Sequence, residues 1–244
     1  TTAVESLQGH FHPFFVGWDM SIPDVERARL FIEEFRSLVV QNAWPRFIVM
    51  RLPNDHTQGS KAGALTPRAM VADNDLALGM VIEEISRSSI WKETAVFVVE
   101  DDAQNGPDHV DAHRTVAFVI SPYTRGRGRD STFYSTASML RTMELILGLE
   151  PMSQYDAAAL PMYNTFRSRP NARSYKCKPV PEELRSVRNS PDGWGADLSA
   201  KLNFEKEDAA DDLLFNEIIW RSIRGASSTM PAPVRAAFVF PQGD

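Results

Sequence analysis

Apolar residues recur along this chain in two rhythms. Over 24–41, Val25, Ala28, Leu30, Phe31, Phe35, Leu38 and Val39 return every three or four positions. That spacing predicts one face of a helix, with Ser21 or Asp24 as its cap. A second helical face runs over 69–89 through Met70, Val71, Leu76, Leu78, Met80, Val81 and Ile85. Ahead of it, Thr66-Pro67 has the form of an N-cap followed by proline at the first helical position. Ser135 or Thr136 opens a third helix, which Gly148 stops. A last one is predicted over 208–224, with Leu213, Leu214, Ile218, Ile219 and Ile223 on one side. The other rhythm is the short, mainly apolar run, at 46–52, 95–99 and 115–120, which reads as buried strand.

Strand–helix–strand–strand–helix alternation with uniformly apolar strands predicts an α/β layered fold around a buried sheet. Residues 1–23 read as loop. From about residue 151 to 206 the chain is rich in Pro, Ser, Asn and Arg and loses its periodicity. We therefore expect one domain, with residues 1–150 forming the core. Residues 151–244 would form a surface wrapping that ends in the final helix.

Composition narrows the function classes. Among 244 residues, 43% are hydrophobic and 24% charged, as in ordinary soluble globular proteins. The net charge of −6 leaves no electrostatic footprint for nucleic acid. No apolar run approaches the ~20 residues that cross a bilayer. The single cysteine, Cys177, has no partner for an intrachain disulfide and reads as a loop thiol.

One segment carries too much charge for packing. Residues 100–113 hold five carboxylates and two imidazoles, and they directly follow the apolar run 95–99. Adjacent carboxylates repel unless a cation or proton lies between them. Carboxylates with imidazoles are the donor set of zinc, manganese or iron. A second loop, leaving the run 46–52, carries Asp55 and His56. If the two strand ends are neighbours, Asp55, His56, Asp101, Asp102, His109 and His113 can meet around two divalent ions. Asp108 and Asp111 read as orienting or exposed carboxylates, and Glu100 as pointing away. Asp73 and Asp75 read as helix surface, His10 and His12 as loop packing, and Arg125 to Arg129 as a basic surface loop.

These motifs resemble a known family. Leu52-Pro53-Asn54-Asp55-His56-Thr57, Ala72-Asp73-Asn74-Asp75 and the segment from Val99 to Arg114 with Glu100-Asp101-Asp102-Ala103-Gln104-Asn105-Gly106-Pro107-Asp108-His109 resemble the bacterial phosphoesterase branch of the alkaline phosphatase superfamily. Ser131 to Thr136, Met139 to Thr142 and Asn216 to Trp220 continue the likeness, which covers most of the chain. The resemblance implies a three-layer, doubly wound, mostly parallel α/β sheet, incomplete at its amino-terminal side. It implies a metal-dependent phosphoric ester hydrolase holding two divalent ions, zinc first and manganese, iron or calcium as alternatives. Asp55 and His113, or His109 in its place, match one metal site. Asp101 and Asp102 match the other.

The sequence departs from the family at two points. Gly59 stands where many relatives carry a histidine four residues after the aspartate. No strand with an aspartate and a Thr or Ser nucleophile precedes residue 55. The resemblance thus implies the carboxyl-terminal half of a larger enzyme, with the nucleophile upstream and little turnover from this chain alone. The expected partners are a phosphate-ester substrate and the missing half or a second copy. The expected compartment is the periplasm or the exterior of a bacterium, with the cytoplasm as the alternative. Sulfatase-type hydrolysis and a non-catalytic, metal-stabilised module are the alternatives.

Overall fold

The computed structural model describes residues 4–101, 114–126, 128–207 and 209–232. Two long helices form the centre. α1 (Asp24–Val40) and α2 (Pro67–Arg87) pack along each other. Between them Ala28, Phe35, Ala77, Val81, Ile85 and Trp91 are buried. Alanines at the crossing let the helices approach closely, and Phe35 fills the gap beside them with its ring edge-on to Trp44 at 4.6 Å. Each large apolar side chain buried here contributes roughly 1.5–3 kcal/mol. The Thr66 hydroxyl accepts the Ala69 N–H at 3.2 Å and caps α2, with Pro67 in the first turn.

α3 (Thr136–Leu147) opens on a Ser135–Ser138 capping box and closes on Gly148, whose φ of 71° is left-handed. Short helices follow: α4 (Gln154–Ala158), α5 (Glu182–Arg185) and α6 (Ala196–Ser199). α7 (Asp212–Arg224) is capped by the Asp211 carboxylate, which accepts the Leu214 N–H at 2.8 Å, and it buries Phe215 and Ile218. The segment after α4 runs across α2. The Tyr175 N–H donates to Ser86 Oγ, Cys177 N–H to Glu83 Oε2, and Thr66 N–H to the Val187 carbonyl.

The layered parallel sheet is not what the chain forms. Among the described residues the only sheet is a pair of strands, β1 (Val96–Val99) and β2 (Ala117–Ile120). They run antiparallel, with Val96 opposite Ile120 and Val99 opposite Ala117. The Glu100 N–H donates to the Val116 carbonyl at 3.0 Å and extends the ladder. The chain therefore turns back on itself here, whereas parallel neighbours need a crossover. Residues 46–52 form no strand. Met50 and Leu52 reach the core while Phe47, Ile48 and Val49 stay exposed. An apolar run supplies hydrophobic contact wherever it lies, and by itself it does not fix a ladder partner.

Candidate functional site

The site is built on a turn. Asp55 lies in the 3-10 turn Pro53–His56, which links the 46–52 segment to α2. Proline at its first position and a buried Asn54 set the turn's path. The next residue, Thr57, has φ 64° and ψ 176° and is 2% exposed. This region of backbone space belongs almost wholly to glycine, so a β-branched residue there is strained. Strain of that kind, next to Asp55 and His56, persists only where the surroundings enforce it.

A buried polar network lies beneath the turn and holds its Asn54. Asp24 Oδ2 accepts the Asn54 N–H at 2.9 Å and the Asn74 amide at 3.1 Å. Asp24 Oδ1 meets Arg27 Nη1 at 3.1 Å. Asp73 Oδ2 accepts the Asp24 N–H at 2.6 Å and the Asn54 amide at 3.3 Å, and its other oxygen faces Arg185 at 3.5 Å. Arg27 is 1% exposed and donates three further N–H groups to the carbonyls of Val16, Asp19 and Ile22. Burial pushes the Asp24 carboxyl up to about 6, against the opposing pull of Asn54, Asn74 and Arg27. The network joins α1, α2, α5 and the amino-terminal loop to the turn that carries Asp55.

Asp55 faces the end of β1. Its carboxyl is pushed up to about 6, first by burial and then by the negative charges of Glu100 and Asp101. Its own N–H and that of His56 pull the other way. Asp101 is largely exposed and stands 3.9 Å from Arg51 Nη2. Arg51 also pairs closely with Glu207 and lies over the Trp18 ring, 5.0 Å from its centroid.

His56 sits among rings. Trp18 meets it edge-on at 4.9 Å, Phe215 lies at 5.1 Å and Phe204 at 6.3 Å. Its Nδ1 is 3.0 Å from the Thr57 carbonyl. Gly59 closes this floor. With φ +58°, a Cβ there would lie 2.9 Å from Ser199 Oγ and 3.0 Å from Ile218 Cγ2. A histidine at position 59 has no room.

The fold thus brings Asp55 together with Asp101 and with Glu100, the carboxylate expected to point away. Asp102, His109 and His113 lie outside the described residues. Among the described residues no group of three or more His, Cys, Asp or Glu side chains is arranged to hold a metal ion. Asp55 and Asp101 nevertheless have the right chemistry for part of such a site, since a divalent cation would offset both the burial of the Asp55 charge and the like charge that adds to it. His12 is half-buried, and its Nδ1 accepts the Phe14 N–H at 3.2 Å.

Sequence reasoning missed Arg51, Asn54, Asn74, Asp24 and Asp73. The signal for Asp73 was present, because it lies three residues after Met70 and four before Ala77, on the buried face of α2. Nothing in the pattern of 46–52 singles out Arg51. No helix among the described residues is long and apolar enough to cross a membrane. Comparison with protein-family models, curated proteins and solved structures finds no significant match.

Proposed function

We propose that this chain forms part of a metal-dependent hydrolase of phosphoric esters, with Asp55 and Asp101 as metal ligands and Asp102, His109 and His113 as the remaining donors. The observation that carries this reading is that the turn places Asp55 within reach of the negative charges of Glu100 and Asp101 at the end of β1, which add to burial in raising its carboxyl to about 6. Carboxylates from two separate loops, one of them on a strained and heavily braced turn, cost stability and do not pack a core. The reading needs those two loops and does not need a parallel sheet.

The residues present divide the work. Asp55 and Asp101 offer oxygen donors suited to a hard or borderline divalent ion. A metal bound there supplies positive charge to phosphoryl oxygens. Arg51, held over Trp18 beside Asp101, adds a guanidinium whose fork matches a phosphate. The braced turn keeps Asp55 in place as the charge nearby changes. We assign no nucleophile to a described residue. Zinc is the first candidate ion, and the exported bacterial setting implied by the motifs is part of the proposal.

Titration calorimetry of the full chain with Zn2+ and Mn2+ tests it. Binding is expected, weakened at least about tenfold by Asp55→Asn or Asp101→Asn, and strengthened by vanadate as a phosphate mimic. A chain that binds neither ion overturns the proposal. Binding that prefers Ca2+ and ignores vanadate replaces it with the metal-stabilised, non-catalytic module.

A further inference from the structure

We propose that Asn74 is the positioning residue of Asp55, fixing one carboxylate oxygen so that the other is left to face a cation. The proposal rests on reading Asp55 as a metal ligand. Asn74 lies on α2, one residue beyond the buried Asp73, and its Nδ2 meets three acceptors. These are the Leu52 carbonyl at 2.8 Å, Asp24 Oδ2 at 3.1 Å and Asp55 Oδ1 at 3.4 Å.

A primary amide has two N–H groups, so one of them is shared. The two shorter contacts immobilise the amide. Leu52 is the residue that enters the turn, and Asp24 is itself held by Arg27 and by the Asn54 N–H. Turning the amide away from Asp55 would sacrifice bonds at both anchors, one of them to a buried carboxylate. Asn74 therefore stands as a fixed donor beside Asp55 Oδ1, at a length typical of contacts that tighten when the site is occupied. Hydrogen-bonding partners of this kind orient metal ligands, and losing one costs about 10- to 100-fold in metal affinity. Only a donor serves here, because a carboxylate at position 74 would stand between Asp24 and Asp55.

Two measurements on the full chain test this. The first is Mn2+ affinity by calorimetry for the unaltered chain, Asn74→Ala and Asp55→Asn, each with its melting temperature. The expected result is a loss of about 10- to 100-fold in Asn74→Ala while the variant still melts cooperatively. Unchanged affinity in a folded Asn74→Ala overturns the proposal.

The second needs neither metal nor a folded variant at position 74. It follows the side-chain amide resonance of Asn74 by 1H–15N NMR in the unaltered chain and in Asp55→Ala. A resonance that moves supports the contact, and one that stays overturns it. If the unaltered chain binds no Mn2+, the metal-site reading fails. The assignment of Asn74 as the residue that positions Asp55 is then decided by the amide resonance alone.

Discussion

Asp73 Oδ2 accepts the backbone N–H of Asp24 at 2.6 Å, joining two buried acidic residues 49 positions apart in the chain. The bond fastens the start of α1 to the second turn of α2. The same Asp73 oxygen takes the Asn54 amide, so the turn that bears Asp55 is tied to the junction of both helices. Two buried acids this close raise each other's cost, and the arrangement persists because each finds donors.

Arg27 is the counter-charge that makes this tolerable. Arg27→Met should destabilise the protein by about 3–5 kcal/mol, because Asp24 would be left buried without its cation and the carbonyls of Val16, Asp19 and Ile22 would lose their donors. Arg27→Lys should rescue little of this, since one ammonium cannot span the same fork of acceptors. Urea unfolding measures both. A loss below about 1 kcal/mol in Arg27→Met would show that the network contributes little.

Asp24 and Asp55 give the protein a pH dependence of definite sign. Both carboxyls sit at about 6 when folded, above the ordinary 3.8. The folded state therefore binds more protons than the unfolded one between these values, and stability falls as pH rises through that window. Asp55 alone costs on the order of 2 kcal/mol at neutral pH. Asp55→Asn should make the metal-free protein more stable at pH 7.5 by about that amount, the difference shrinking towards zero near pH 4. Added Mn2+ should raise the melting temperature of the unaltered chain at pH 7.5 and leave Asp55→Asn unmoved. Equal melting curves for the two proteins across this range would contradict it.

The helices were legible because their signals are local. Thr66-Pro67, Ser135 and Gly148 act within a few residues, and all three perform as their chemistry predicts. The arrangement of strands was not legible. Residues 95–99 and 115–120 do contribute strands, but an apolar run does not specify whether its neighbour is parallel, antiparallel or absent. Residues 46–52 satisfy the same pattern and pair with nothing in a ladder. The acidic end of β1 and the Asp55 turn stood out in the sequence because their charge density has no role in packing. The bracing beneath them was legible only in part: the spacing of Asp73 from Met70 and Ala77 puts it on the buried face of α2, but nothing in the pattern names the partners of Asp73 or Asn74.

Gly59 should resist replacement. Its φ of +58° costs an L residue about 1–2 kcal/mol, and any Cβ would crowd Ser199 Oγ, which accepts the Ser60 N–H at 2.9 Å. Gly59→Ala should therefore lose about 2–4 kcal/mol in chemical denaturation, combining backbone strain with overpacking against α6 and α7. Gly59→His should be worse, because its larger side chain meets the same neighbours. A Gly59→His protein of undiminished stability would mean that the floor of the site can open.

Gly79 offers a test in which helix propensity and packing oppose each other. In the middle of α2, alanine should be favoured over glycine by about 1 kcal/mol. Yet a Cβ at this position would lie 2.7 Å from Cys177 Sγ. That thiol is held where it is, because the Cys177 N–H donates to Glu83 Oε2 at 2.7 Å. Gly79→Ala alone should therefore destabilise by about 1–3 kcal/mol. Cys177→Ala removes the sulfur, and the remaining Cβ contact of 3.7 Å is ordinary. In that background Gly79→Ala should become neutral or stabilising, because the propensity gain is no longer opposed. The four proteins form a double-mutant cycle, and a coupling energy of about 1 kcal/mol or more is the expected reading. Additive effects would mean that the segment through Cys177 does not press on α2.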